Sequence, residues 1–168
     1  SLDDRPILDV YRQYLGHEVV EDIARFGHEF PLIIHKDGMQ VCRVALKGLD
    51  DGSFQYAGHV EVGDKVQFAY GHLESILNKS ADMLQDISTY PADGIFVYSC
   101  TTRKSVMQDS TETEIKPLQE LAPTAGFFTW GEFYHDNGQN HLLNTTMTLA
   151  LLSEGEKAIR ERIPPETI

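Results

Sequence analysis

Three stretches of this 168-residue sequence combine reactive or hydrogen-bonding side chains with positions where such groups become accessible. The first is Ser99-Cys100-Thr101-Thr102-Arg103, at the C-terminal end of the apolar run Ile95 to Ser99. Strand ends followed by small polar residues commonly open into ligand crevices, because short side chains leave backbone amides within reach. Arg103 supplies a planar cation that forks onto a carboxylate. The competing reading makes Cys100 a small core filler and Arg103 a surface charge. The second stretch is Gly126-Phe127-Phe128-Thr129-Trp130-Gly131-Glu132. Its glycines permit close backbone approach. Glu132 is an acid in an otherwise apolar, aromatic run, and a buried carboxylate is costly unless paired. It suits the amino group of a ligand; the alternative is an outward-facing edge-strand Glu beside a core Trp130. The third stretch is Asn140-His141-Leu142-Leu143-Asn144-Thr145-Thr146, whose amides and hydroxyls serve either a ligand or the backbone of the preceding turn.

Other chemistries have weaker support. A nucleophilic Cys100 needs a base or a positive field. Arg103 offers some field, but no His is near in sequence, and the residue six after Cys100 is Val106, so a Cys-x5-Arg phosphate loop is absent. The seven His residues, at 17, 28, 35, 59, 72, 135 and 141, have no HxxxH or HExxH spacing. His135, Asp136 and His141 could meet across a turn, against the simpler reading of a surface hairpin. Glycine motifs for phosphates or dinucleotides are absent. No catalytic residue and no metal ligand is assigned.

Composition narrows the class. Fourteen basic and 26 acidic residues give a net charge of −12. Nucleic acid and anionic membrane surfaces need a basic face, so neither is expected as a partner. No apolar run approaches the ~18–20 residues of a membrane span, and the start lacks the pattern of a cleavable leader. Two cysteines, Cys42 and Cys100, are too few for a disulfide framework. A start without Met reads as a piece of a longer protein. The expectation is a cytoplasmic domain.

The elements that must position these residues follow from periodicity. A helix opens the chain, with Asp3 and Asp4 as caps, Pro6 in the first turn, an apolar face of Ile7, Leu8, Tyr11, Tyr14 and Leu15, and an exit at Gly16. A second helix spans about Glu18 to Phe26. Strands follow at Phe30 to His35, Gln40 to Leu46 (alternating), Ser53 to Ala57 and Lys65 to Tyr70, linked too tightly for crossover helices and so read as an antiparallel meander. The clearest helix is about His72 to Ser88. Ile95 to Ser99 reads as a strand buried on both faces, Thr113 to Leu121 as a helix with Pro117 near its first turn. Ala125 to Phe133 and Leu142 to Leu152 read as a long hairpin about Asn137-Gly138. The predicted fold class is α+β, a largely antiparallel or mixed sheet with helices packed against it. The domain is expected over 1–152. The tail 153–168, charged and broken by Pro164-Pro165, reads as a polar linker, the start of a signalling helix or a frayed end.

In order, these stretches resemble the C-terminal half of the FIST sensory domain of signal-transduction proteins. The resemblance rests on Val10-Tyr11-Arg12-Gln13-Tyr14-Leu15-Gly16, Phe30-Pro31-Leu32, Ile95 through Arg103, Ala125 through Glu132, and Leu142-Leu143-Asn144-Thr145-Thr146. The family pattern has a strand ending in Ser-Cys-x-x-Arg, then Gly-Phe-x-x-x-Gly-Glu, then Leu-His-Asn-x-Thr; its usual His is Leu143 here. The resemblance implies intracellular sensing of small molecules such as amino acids, without catalysis by this domain itself. It implies an N-terminal FIST half and a covalently linked output domain (chemoreceptor, histidine kinase or diguanylate cyclase) as partners, and a homodimer is a further candidate. Some related proteins are linked to haem and nitric oxide, which keeps a haem domain using His141 as an alternative, beside a thiol enzyme using Cys100 and a module that only dimerises. The residues expected to contact ligand are Ser99, Cys100, Thr101, Arg103, Gly131, Glu132, Asn144 and Thr146, with Arg103 and Glu132 on opposite ends of a zwitterion.

Overall fold

The computed structural model describes residues 1–36, 38–136, 138–155 and 166–167. They form two compact units, Ser1–Gly71 and His72–Ile168. The first begins with a tight turn. Asp3 and Asp4 take left-handed φ of 48° and 62°, and Leu2 and Arg5 exchange backbone hydrogen bonds of 2.9 and 3.0 Å. The two aspartates are thus turn residues, not the expected helix caps, because short polar side chains tolerate this conformation. Helix α1 (Ile7–Leu15) starts after Pro6, buries Ile7, Val10 and Tyr11, and ends at Gly16 with φ 88°. Tyr14, expected on the buried face, is exposed. The expected second helix is two, α2 (His17–Glu21) and α3 (Ile23–Phe26), broken where Asp22 leaves helical dihedrals.

The strands of this unit are β1 (Leu32–Lys36), β2 (Met39–Arg43), β3 (Ala45–Gly48), β4 (Phe54–Tyr56) and β5 (Val66–Phe68). All pairings are antiparallel, but β5 joins β1 rather than β4, giving an order β2-β1-β5 beside a separate β3–β4 hairpin. The expected meander is therefore interrupted. The run Gln40 to Leu46 does not alternate: Val41 through Ala45 are all buried, because the chain leaves one sheet and enters the other at Val44. Tyr11 anchors the core. Its ring meets Phe54 and Phe68 edge-on at 5.0 and 4.9 Å, and its hydroxyl accepts a 3.0 Å hydrogen bond from Tyr56. Burial pushes the Tyr11 phenol up to about 12.

The second unit opens with α4 (Leu73–Ile87), capped by His72, whose ring nitrogen accepts from the Ser75 amide. Strand β6 (Gly94–Cys100) runs directly into α5 (Thr101–Met107), a 3-10 turn (Gln108–Ser110) and α6 (Thr111–Leu121). Helix α5 was not legible in the sequence, since its Thr, Ser and Val residues are weak helix formers. Pro117 lies inside α6 rather than near its first turn, because the helix starts two residues earlier than its periodicity suggests. Next come β7 (Thr124–Thr129), β8 (Glu132–Asp136), β9 (Gln139–Leu143), β10 (Thr146–Leu152) and β11 (Glu166–Thr167). The sheet order is β11-β10-β6-β7. β6 and β7 are parallel, as the helical crossover requires; the other pairings are antiparallel. The fold class is α+β, as expected.

Two expectations need correction here. Strand β6 alternates: Ile95, Val97 and Ser99 are buried, whereas Phe96 and Tyr98 are half-buried. Met83 and Ile87 of α4, Leu118 of α6 and the adjoining Ala122 pack with Ile95 and Val97 on the first side. The long hairpin is also shorter. Only Glu132 to Leu143 pair across it, because the chain turns away at Trp130-Gly131 and Asn144-Thr145 to flank β6 with β7 and β10. Asn137 lies outside the described residues, while Gly138 has the φ of 80° that such a turn needs. The expected tail helix, with Pro164-Pro165, also falls largely outside the described residues; Glu166–Thr167 pairs with the start of β10. Among the described residues no helix is long and apolar enough to cross a membrane.

Gly126 shows how closely β7 approaches β6: an added Cβ would stand 2.2 Å from the Val97 carbonyl oxygen. Gly126→Ala should therefore lower stability by about 1–3 kcal/mol, seen as a lower urea midpoint at unchanged slope. An unchanged midpoint would contradict this packing.

Candidate functional site

The parallel pairing of β6 and β7 brings their C-terminal ends side by side, with Cys100 opposite Thr129. β10 runs the other way on the far side, so its start lies at the same end, with Met147 opposite Ser99. All three stretches singled out in the sequence therefore meet at one end of the sheet. They arrive as the β6–α5 junction, the β7–β8 junction and the β9–β10 junction.

Glu132 is buried, not outward-facing. One carboxylate oxygen accepts a very short hydrogen bond from Thr129, and the other accepts from the Thr146 hydroxyl at 2.7 Å. Burial raises the Glu132 carboxyl above its ordinary range, opposed by the Thr129 and Thr146 hydrogen bonds. The Thr129 hydroxyl also lies 3.2 Å from the Ser99 carbonyl. It has one proton to give. When protonated, Glu132 donates to Thr129 and frees that proton for Ser99; when ionised, it accepts from both threonines. Cys100 sits beside this row. Burial pushes its thiol up, and the Glu132 charge pushes the same way, against hydrogen bonding from Thr102 and Thr145. Both leading effects hold the proton on sulfur, the reverse of what a nucleophilic thiol requires.

Arg103 is buried as well, which removes the surface-charge reading. Its acid is Glu114 of α6, in very short contact with Nη2; Ser80 of α4 lies 3.2 Å from the same nitrogen. The Ser80 hydroxyl donates to Glu114 at 2.5 Å, and Nη1 donates to the Thr145 carbonyl at 3.4 Å. Arg103 and Glu132 thus have separate partners. Thr145 stands between them, fully buried with a left-handed φ of 62° that a β-branched residue rarely adopts. Four side-chain atoms around this centre are buried without a hydrogen-bond partner: Ser99 Oγ, Arg103 Nε, Glu114 Oε2 and Thr145 Oγ1.

Gly131 lies against Asn144, whose amide nitrogen would be 3.4 Å from an added Cβ. The Thr101 carbonyl accepts from the Ser105 hydroxyl at 3.2 Å. Trp130 is exposed and Glu132 buried, which removes the alternative of a core Trp130 beside an outward Glu132. Thr102, Thr129 and Thr145 fall within the three stretches but not among the residues expected to contact ligand, and Ser80 and Glu114 were not singled out at all. Two had a signal: Ser80 falls on the buried stripe of α4 between Ile76 and Met83, and Glu114 lies one turn before the buried Leu118.

His135 and His141 do not converge. Pairing of Tyr134 with His141 and of His135 with Asn140 puts the two rings on opposite faces of the ribbon. Among the described residues no His, Cys, Asp and Glu cluster could hold a metal ion. A haem against His141 would share its face with Glu132, Tyr134 and Leu143; Glu132 and Leu143 are fully packed, so this face does not fit the group. An open depression of 390 Å³ lies at the opposite end of β6, lined by Asp93, Gly94 and 151–154, and shares no residue with the three stretches.

The model of the FIST C domain matches residues 8–135, and the chain belongs to that family, whose domains act as sensors in signal-transduction proteins. The match includes the β6–α5 and β7–β8 junctions and stops before the β9–β10 junction. Comparison with curated proteins and with solved structures finds no match.

Two predictions follow from the buried charges. Glu114→Ala leaves a buried, unpaired guanidinium and should cost about 3–5 kcal/mol, while Arg103→Met combined with Glu114→Leu should cost much less. Urea denaturation of the single and double variants measures this; additive losses would contradict the coupling. Glu132 holds its proton more tightly in the folded state than in the unfolded chain. Its contribution is complete below the unfolded value and is lost as pH rises through the raised folded one. Unfolding measured between about pH 4 and 7 should show this decline for the natural chain and not for Glu132→Gln. Parallel profiles would contradict the assignment.

Proposed function

We propose that this domain senses a free amino acid or a similar small zwitterion, as the cytoplasmic input module of a signalling protein, and is not itself a catalyst. The ligand site is the end of the sheet where Ser99, Cys100, Thr101, Arg103, Gly131, Glu132, Asn144 and Thr146 gather. The observation that carries this reading is the set of unpartnered polar atoms about the Arg103–Glu114 pair. Such atoms cost about 1–3 kcal/mol each when buried unsatisfied, and native interiors keep few of them. Here the pair leaves one donor free, Arg103 Nε–H, and one acceptor free, Glu114 Oε2. A zwitterion supplies the complement of both, a carboxylate for the guanidinium and an ammonium for the carboxylate. The acid partner in this reading is Glu114, where the sequence pointed to Glu132. Glu132 stays engaged with its Thr129 and Thr146 neighbours.

Entry requires α5 and α6 to part, since the pair is enclosed. A ligand that replaces Glu114 on Arg103 binds the parted state better than the closed one and so shifts the population toward it. The covalently linked output domain and an N-terminal FIST half are the partners that would receive this shift.

Calorimetry and thermal shift against the common amino acids test the proposal. A ligand at ~100 times its dissociation constant should add about 2.7 kcal/mol, a rise of a few degrees for a domain of this size. Arg103→Lys, which keeps the charge but loses the fork, should weaken binding more than it changes the melting point. Binding left intact in Arg103→Lys and Glu114→Gln, or no binding by this chain or by the full-length protein, would refute it.

A further inference from the structure

The apolar core of the second unit ends in a polar layer. Ile95, Val97 and Ser99 are the buried residues on one side of β6, and Met147, opposite Ser99 on β10, belongs to the same core as Ile95 and Val97. About one helical turn before the core residues Met83 and Leu118 stand Ser80 and Glu114. Arg103, just past the end of β6, reaches both through Nη2. Ser99 therefore sits where apolar packing gives way to the ion pair. Thr145 closes this layer from the β9–β10 junction: its carbonyl lies on Arg103, and it stands just before Met147. Ser99 and Thr145 are 4% and 0% exposed, and neither hydroxyl has a hydrogen-bond partner among the described residues. These are the two orphaned groups that the charged ends of a zwitterion leave unused.

Resting on the ligand reading of this site and narrowing it, we infer that the Ser99 and Thr145 hydroxyls read the ligand's side chain, so that the domain selects a neutral amino acid whose side chain carries a hydroxyl or a carboxamide. Each hydroxyl offers one proton and two lone pairs, so the pair both donates and accepts. A ligand hydroxyl or carboxamide does the same. An apolar side chain would leave both groups buried and unpaired. A site built to bond a polar group discriminates strongly against the analogue that lacks it. A charged side chain fails for a different reason. The ligand's carboxylate takes Arg103 and its ammonium takes Glu114, while Glu132 is engaged by Thr129 and Thr146. A further charge would be buried without a counter-charge. Neither hydroxyl belongs to α6. Ser99 is part of β6 and Thr145 of the β9–β10 junction, so both stay with the sheet when α5 and α6 part.

Calorimetry of this chain and of the full-length protein with matched amino acids tests this selectivity. The pairs are serine against alanine, threonine against valine, and asparagine and glutamine against leucine, with aspartate and lysine as charged members. The best polar neutral amino acid should bind about tenfold or more tighter than its apolar counterpart, and tighter than either charged one. Ser99→Ala and Thr145→Val together should bring the polar and apolar members within about threefold of each other. Neither single variant should melt lower than the natural chain without ligand, because each removes a buried group that has no partner. That readout separates side-chain recognition from a structural role, since hydroxyls that hold a fixed water would cost stability when removed. Apolar or charged members that bind as tightly, selectivity that survives in the double variant, or a lower melting point in both single variants overturns the inference and leaves the zwitterion reading standing. Absence of binding by every amino acid overturns both.

Discussion

A guanidinium cannot be buried by itself. Desolvating it costs several kcal/mol that only a close, hydrogen-bonded acid offsets, and Arg103 is buried. Its acid must come from elsewhere in the chain, and it comes from α6. Its second contact comes from α4 and its third from the backbone between β9 and β10. One side chain at the start of α5 thus fixes where two helices and a strand junction meet. The apolar core of Met83, Ile87, Val97 and Leu118 supplies most of the cohesion, without direction. The ion pair supplies the direction.

Thr145 carries that constraint across to the second polar group. Its carbonyl faces Arg103, its backbone also hydrogen-bonds the Cys100 thiol, and its dihedrals are unfavourable for its type. Strain of this kind costs about 1–3 kcal/mol and persists only where the surroundings over-determine it. Here the surroundings are two buried polar clusters, Arg103–Glu114–Ser80 on one side and Cys100–Glu132–Thr129–Thr146 on the other. A change in either is felt at Thr145, which makes the junction a natural place for a bistable element.

Much of this was legible in the sequence, and the losses have physical causes. Apolar spacing located α1, α4 and β6, because burial of one face repeats at a fixed period. The three polar stretches were legible as candidates because small and charged residues interrupt apolar runs there. Their convergence was not, since it depends on β7 running parallel to β6, which the hairpin signal at Asn137-Gly138 concealed. That signal was real but local: it folds Glu132 to Leu143 and says nothing of where Thr129 and Thr146 go. The acid beside Arg103 was not foreseen for the same reason. Glu132 stood out as an acid in an aromatic run, while Glu114 sat in a helix rich in exposed acids, Glu112 and Glu120, and was distinguished only by its phase with Leu118. Consecutive burial from Val41 to Ala45 defeated an alternation argument that holds within one sheet but not where a chain changes sheets.

The central claim is that Arg103 and Glu114 form a fixed, enclosed ion pair on which the second unit is organised. Nuclear magnetic resonance of the Arg103 guanidinium measures this most directly. A guanidinium locked against Glu114, Ser80 and the Thr145 carbonyl cannot rotate freely, so its Nη protons should appear as separate resonances that exchange slowly with water. Glu114→Gln should merge them. A single averaged signal in the natural chain, exchanging as fast as that of a surface arginine, would contradict the account.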